Sequence, residues 1–597
     1  MTFREFKRFS GSFPGFFTKI ALVIHLFAGF LSIFCLAFPV LAQQSPQMTI
    51  SGADSALNTN IRSHLRITGE DCDTADARLE RLRPQLLANV QRAGQALGYY
   101  RMAVAAEFSR DGSCWSLALM VTPGEQIPVS NVSIYLPEES QIQTIFGEIL
   151  DDLAVQAGDP LHHGDYESIK NALSATAIEN GYFSARFNRA ELQVDLAAYQ
   201  ATIVIDFEPG QRYRFGVIDV SPVPGLSEAF IDSMMTLKPG DPYSSDALLQ
   251  QRVSLDDTQY FRQISFTPQL SRAENLSVPV LVELVPRLRH AWSTGIGFTT
   301  DTGPRVRTAY ENRYINGRGH TFDSDASVSL VRSQVNLGYT IPMNDPLSQS
   351  LHFGTGLITE DTDTYDSDRF KLDASYTRAS STGWMETYSV DYLLDDFVLD
   401  QQADRSQLTM AGYSLSKTSG DNLINPSRGW RLFGQVRGAA DSFISDTTFM
   451  QLYASGKGIM SVGSGRILAR FEMGSTWIDD VSELPVSVRY FAGGDQSIRG
   501  YDFRTLGPIN DNGEVTGGKH LITGSMEYDF PFKNNNWRAA LFYDGGNAFS
   551  SDTLDWKDSV GVGVRWLSPI GPIRIDLAHA LEGDENFRLH ITMGPDL

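Results

Sequence analysis

The chain has 597 residues, of which 42% are hydrophobic, and a formal net charge of −22. That length exceeds what one hydrophobic core serves, so several domains are expected. So acidic a chain does not hold nucleic acid through its overall field, and nucleic acid is excluded as a partner.

Residues 1–42 begin basic, at Arg4, Lys7, Arg8 and Lys19, and turn apolar from Ile20 to Ala42, with Val40 and Ala42 as small residues before a cut. This reads as a secretory signal cleaved after Ala42, an uncleaved anchor being the alternative. No later apolar run is long enough for a membrane helix. Cleavage removes Cys35 and leaves Cys72 and Cys114. In an exported chain those two point to one disulfide, with two free buried thiols as the alternative.

The N-terminal half repeats. Gly98-Tyr99-Tyr100 returns as Gly181-Tyr182-Phe183 and, altered, as Gln259-Tyr260-Phe261. Pro123-Gly124 returns as Pro209-Gly210, with Pro286 closing a third copy, and Gly158-Asp159-Pro160 matches Gly240-Asp241-Pro242. These landmarks agree on a period of about eighty residues. Each repeat reads as strand, two helices, two strands. In the first, Leu79, Leu82, Leu86, Val90, Ala93 and Leu97 mark an amphipathic helical pair, with Pro84 starting its second helix and Gly98 ending it. Met102–Phe108 and Trp115–Val121 form a hairpin turning at Asp111-Gly112. In the second, Ile169, Leu173 and Ala177 give the helical stripe and Ala201–Phe207 the closing strand. The pair His162-His163 is read as a solvated loop before a helix, not as a metal site. Sheets this small leave open edges able to accept an extended chain; the plain alternative is that the repeats are spacers.

From about His290 the pattern alternates with period two. Trp292, Ile296 and Phe298 alternate with Ser293, Gly295, Gly297 and Thr299; Val335, Leu337, Tyr339 and Ile341 with Asn336, Gly338 and Thr340; Tyr388, Val390 and Tyr392 with Ser389 and Asp391. Ile573, Ile575 and Leu577 alternate with Arg574 and Asp576, and Phe587, Leu589, Ile591 and Met593 with Arg588, His590 and Thr592. Alternation alone also suits a soluble sandwich. Export, aromatics near strand ends and a charged second face favour a membrane barrel with a wet lumen. At about nineteen residues per strand and loop, residues 290–597 hold sixteen strands. The acidic stretches Glu360–Asp368 and Asp511–Glu514 read as solvated loops.

Within this region Arg489–Tyr501 is too rich in glycine and charge to span lipid. Gly493, Gly494 and Gly500 let a loop bend and pass close to other backbone, and Arg499 offers a fork of donors that fits a carboxylate. It reads as a loop folded inward that plugs Arg499 onto acidic groups. No G-x-S-x-G elbow, H-E-x-x-H or Walker loop is present; Gly463-Ser464-Gly465 lacks the elbow's outer glycines. No enzyme activity, metal or cofactor is expected.

Taken together, the chain resembles the BamA/TamA superfamily of outer-membrane assembly barrels, and within it the TamA-like branch. The resemblance rests on the threefold repeat, similar to POTRA domains, and on Ile498-Arg499-Gly500-Tyr501, which matches the family's (V/I)-R-G-(F/Y) motif. The longer Phe491–Tyr501, with Asp495, and also Ser568–Ile573 and Gly594–Leu597 look TamA-like. Five POTRA domains would have pointed to the main assembly barrel and two to a two-partner secretion transporter. The implied layout is a signal at 1–42, α+β POTRA-like domains at 43–127, 128–211 and 212–287, and an all-β transmembrane barrel at 288–597.

The resemblance further implies that Glu527 and Asp544 receive Arg499. It implies too that the first and last strands, about His290–Thr300 and Asn586–Gly594, form a lateral seam. Trp292, Gly295, Gly297, Phe587, Leu589 and Ile591 lie there, and glycine weakens strand pairing. The implied function is insertion of unfolded barrel clients such as autotransporters into outer-membrane lipid, with a TamB-like partner and periplasmic POTRA domains. A passive pore and a lipid-transport component are the alternatives.

Overall fold

A computed structural model describes residues 45–597, apart from 66, 113, 423–424, 533–535, 552, 569–570, 583–586 and 594–597. The expected signal, Pro569, Ile570, Asn586 and the Gly594–Leu597 terminus lie outside the described residues. The chain divides into two compact units, residues 45–177 with 184–210, and 178–183 with 211–597.

The first unit contains two repeats. One runs β1 (Gln47–Ser51), α1 (Ser55–His64), α2 (Asp76–Ala96), β2 (Ala103–Asp111) and β3 (Cys114–Thr122). The next runs β4 (Val129–Tyr135), α3 (Ser140–Asp151), α4 (His163–Glu179), β5 (Arg186–Asp195) and β6 (Gln200–Glu208). The second unit opens with a third repeat: β7 (Arg214–Val220), α5 (Glu228–Ser233), α6 (Ser245–Asp257), β8 (Phe261–Pro268) and β9 (Ser277–Pro286). In each sheet the last strand is central, parallel to the first and antiparallel to the second. The first and second strands are therefore the edges. Along β3, Trp115, Leu117, Leu119 and Val121 alternate onto Leu57, Ile61, Leu79, Leu86, Val90 and Ala93 of the helices, which closes the core.

The repeated landmarks have a common physical cause. Gly98 and Gly181 stop their helices at φ +83°, and Gln259 takes the same left-handed turn at +61°. Gly158 and Gly240 are also left-handed, and the Gly-Asp-Pro segments pair with the opening strands. Val129 N–H donates to Asp159 O (2.8 Å), and Phe215 N–H to Asp241 O (2.8 Å). Cys72 and Cys114 are joined as a disulfide that ties the α1–α2 connection to β3.

Two readings need correction. Leu79 to Ala96 lies on one continuous helix with Pro84 inside it, and the first helix of the pair is α1. Leu79, Leu86, Val90 and Ala93 hold the long helix to the sheet across the proline, whose missing donor costs one backbone bond. His163 is not in a solvated loop: it starts α4, half-buried, with Nε2 2.8 Å from the Tyr100 hydroxyl.

The third repeat packs on the turn after the second barrel strand. Ser227 Oγ donates to Gly317 O (2.9 Å), Tyr260 donates its hydroxyl to Gly319 O (2.5 Å), and Phe230 covers Gly319.

The barrel has the expected sixteen antiparallel strands, each paired with its sequence neighbour. The first eight are β10 (His290–Thr299), β11 (Gly303–Asn312), β12 (Thr321–Val328), β13 (Arg332–Pro342), β14 (Gln349–Asp361), β15 (Tyr365–Ala379), β16 (Met385–Leu399) and β17 (Gln402–Gly420). The rest are β18 (Gly429–Ala439), β19 (Phe449–Val462), β20 (Gly465–Trp477), β21 (His520–Pro531), β22 (Trp537–Phe549), β23 (Lys557–Ser568), β24 (Gly571–Ala580) and β25 (Arg588–Met593).

Ile296, Val390, Met526, Val562 and Ile575 stand exposed on the outer face while Glu527, Asp544, Arg565, Asp576 and His590 turn inward and are buried. An apolar exterior over a charged interior suits lipid outside and water or protein inside. No helix among the described residues is long and apolar enough to cross a membrane. Strand length is uneven. β14, β15, β16 and β17 have 13, 15, 15 and 19 residues while β10, β11 and β12 have 10, 10 and 8, so the wall is lower beside the first strand of the sheet.

One acidic stretch departs from the expected loop. Glu360 lies buried next to the end of β14, with Asp366 and Asp368 on β15. Arg369 and Arg504 neutralise Glu360, the latter at 3.0 Å, because a carboxylate on the inner wall needs a cation once a loop covers it.

Candidate functional site: the lumenal loop and the strand seam

The β20–β21 connection folds back over the inner wall instead of extending into solvent. Arg489 closes its base by donating to Leu484 O (2.8 Å), Ser482 O (2.9 Å) and Thr516 O (3.0 Å). Arg470 on β20 holds the tip, donating to Asp495 O (3.2 Å) and Ser497 O (2.6 Å). Ile498 is fully buried with Ala492, Leu506, Leu521 and Ala548, and Tyr501 donates its hydroxyl to Glu582 O (3.1 Å).

Gly493 and Gly494 lie at φ +99° and +102°, the left-handed region that glycine tolerates. A side chain on Gly494 would meet Asp301 Oδ2 at 2.6 Å, and one on Gly500 would meet Ser559 Cβ at 2.6 Å. We predict that Gly500→Ala lifts the tip off β23 at a cost of about 1–3 kcal/mol, as overpacking does. Urea unfolding of the lipid-embedded barrel reads this directly, and an unchanged midpoint would show that the loop gives way freely.

Arg499 is buried at the centre. Its fork meets Asp544 with Nε at 2.7 Å from Oδ2 and Nη2 at 2.8 Å from Oδ1, and its own N–H donates to the same carboxylate. Nη1 reaches Glu527 (2.9 Å) and Asp576 (3.1 Å), and Nη2 also donates to Ser525 Oγ. The guanidinium carbon stands 3.4 Å from the centre of the Phe542 ring. That ring lies over Gly561 on the paired strand, where a Cβ would collide with it.

Arg565 donates to Glu527 (2.8 Å) and Asp576 (2.5 Å), and Arg470 stands 3.7 Å from Asp544. Three guanidiniums thus face three carboxylates, and the cluster is neutral as a whole. Glu527 and Asp544 meet Arg499; Asp576, Arg565 and Arg470 were not singled out from the sequence. Asp576 did carry a signal, as an inward position of the Ile573–Leu577 alternation.

Residues 315–596 match the Omp85 superfamily domain, and residues 47–123 match the POTRA domain described as TamA domain 1. The greater part of the barrel is thus similar to the Omp85 superfamily domain. Over 384 residues it is 25% identical to the outer membrane protein assembly factor BamA of Nitratidesulfovibrio vulgaris, covering 60% of this chain and 47% of that protein. Over 494 residues it is 20% identical to BamA of Neisseria meningitidis serogroup B, covering 70% and 61%. The chain therefore spans only about half to three-fifths of these relatives' length. Among solved structures it resembles Haemophilus ducreyi BamA lacking POTRA domains 1–3, at TM-score 0.62 and 16% identity, over 78% of this chain and 99% of that one. The likeness to that structure speaks for the fold. The barrel is an outer-membrane barrel.

The two ends of the sheet meet without joining. Among the described residues no ladder of backbone hydrogen bonds links β10 to β25. The contact runs through Thr300, whose Oγ accepts from Ile591 N–H (3.2 Å) and donates to Asp495 (3.0 Å). Trp292 and Ile296 face outward from β10, 72% and 83% exposed, while Gly295 and Gly297 leave its inner face bare. Opposite them Phe587 and Leu589 are exposed, and Ile591 is half-buried. His590 turns inward from β25 between Asp495 and the Arg499 carbonyl. Burial, with Asp495 beside it, pushes the carboxyl of Asp301, in the turn after β10, up to about 6.

Proposed function

We propose that this chain is an outer-membrane protein assembly factor of the TamA-like branch, one that inserts β-barrel clients such as autotransporters. The observation carrying this reading is the unpaired seam. Its two strands expose main-chain donors and acceptors, and an unpaired edge is a template for another strand. The wall is also low on the β10 side, where β10, β11 and β12 have 10, 10 and 8 residues against the roughly 9–11 that a spanning strand needs. Lipid beside so short a wall thins to match it, which lowers the barrier to a client entering sideways.

A client strand pairs at the seam, and its own hairpins follow into the bilayer. No covalent step is involved. The three repeats lie in the periplasm, where the free edges of their sheets capture extended segments. The TamA-like reading draws on three such repeats and on the match of the first, and it brings a TamB-like periplasm-spanning partner with it.

Reconstitution in lipid vesicles tests the proposal. An unfolded barrel client is added, and its folding is followed by gel mobility against empty vesicles. Faster folding with the chain present is expected. No acceleration, together with steady ion leakage from the vesicles, would replace the insertase by a passive pore.

A further inference from the structure

Asp301, Asp495 and His590 come from three elements, the turn after β10, the lumenal loop and β25, and one ligand atom from each lies within 4.8 Å of the others. Asp495 is 7% exposed, and its Oδ2 is buried with no hydrogen-bond partner among the described residues. An unsatisfied buried carboxylate oxygen is costly unless something fills its place. His590 adds a second, independent sign. Its Nε2 stands against the Arg499 carbonyl, which only accepts, so Nε2 carries the proton. Nδ1 meets Asp495 Oδ1, and that contact calls for positive charge, supplied by the second proton of an imidazolium or by a cation. A far nitrogen fixed by a backbone carbonyl and a near one set against a carboxylate is also how a metal-binding imidazole is held.

We propose that Asp301, Asp495 and His590 form a site for a divalent transition metal, with zinc as the fitting example. Two carboxylates and one neutral imidazole suit a hard-to-borderline cation, and a single divalent ion neutralises both acids. An open cleft lined by Thr300, Asp301, Asp363, Asp502, Arg588 and His590 gives the ion a way in. Gly494 belongs to the design as well, since a side chain there would occupy the place of Asp301 Oδ2. The metal would clasp the two ends of the sheet through the loop, with the Arg499 carbonyl steadying its imidazole. Metal capture needs no client, so the site stands or falls apart from the assembly reading.

The test is a zinc titration of the full-length chain in detergent micelles after chelator treatment, followed by calorimetry, with a parallel titration by cobalt followed by its visible absorption. Wild type is expected to bind a single tight zinc ion per chain and to develop an imidazole-dependent cobalt band. His590→Gln and Asp495→Asn should each weaken zinc by about tenfold or more, in preparations whose gel mobility confirms a folded barrel. His162 and Asp165, exposed on another unit, supply the background that both variants retain. Wild-type binding that neither variant weakens would overturn the site, as would the absence of saturable zinc binding. If the variants do not fold, the wild-type cobalt spectrum decides: a band without nitrogen ligation leaves a proton, not a metal, between His590 and Asp495.

Discussion

Arg499→Ala is expected to leave a barrel that assembles but unfolds far more readily, with a loss of about 3–5 kcal/mol, the range for removing one partner of a buried ion pair. The size follows from what remains. Asp544 is fully buried and takes three hydrogen bonds from Arg499, two of them from its side-chain fork. Without them its nearest cation is Arg470 at 3.7 Å, while Glu527 and Asp576 keep Arg565. Three carboxylates then face two guanidiniums, and the loop tip loses its anchor to β21, β22 and β24. Arg499→Lys retains the charge but not the planar fork, so it should fall between the alanine variant and wild type. Urea midpoints in lipid measure both. A midpoint unchanged in Arg499→Ala would mean that water, not the loop, satisfies the inner wall. In the vesicle assay the alanine variant should also lose most of its acceleration of client folding, because the loop it releases carries Asp495, which meets Thr300 and His590 at the seam.

Much of this fold is written locally. Period two in Ile573–Leu577 and Phe587–Met593 needs only a wall between lipid and lumen, and left-handed stops at Gly98 and Gly181 need only a helix that must end. The loop motif is contiguous, and the strands bearing Glu527 and Asp544 follow it directly in the chain, so a short reach suffices. Where the local signal misled, tertiary packing had overruled it. Pro84 reads as a helix start, yet the flanking leucines bury one long helix. α1 has only two fully buried residues, Leu57 and Ile61, too few to advertise a helix. Glu360 reads as solvated because the cation that covers it, Arg504, is remote in sequence. The encounter of Asp301, Asp495 and His590 is the least legible of all. It exists only after sixteen strands curl far enough to bring the ends of the sheet together, and no spacing within the sequence encodes that.

A cysteine pair at Thr300 and Ile591 is expected to abolish client folding when oxidised and to restore it when reduced. Ile591 N–H donates to Thr300 Oγ across the gap, which makes these the positions where the two ends of the sheet are in hydrogen-bond contact. A covalent bridge there holds β10 and β25 together without filling the lumen or touching Arg499. Every function that uses the lumen alone should therefore survive it, ion conductance included. A function that needs a free strand edge should not. The native Cys72–Cys114 bridge lies in the other unit and opens under the same reductant, so wild type treated in parallel supplies the control. If the oxidised pair accelerates client folding as well as the reduced one, clients do not enter between β10 and β25, and the seam is no more than the place where the barrel closes. If folding stops while conductance persists, the work of the protein is done at its edge, and the plugged lumen serves to hold that edge in position.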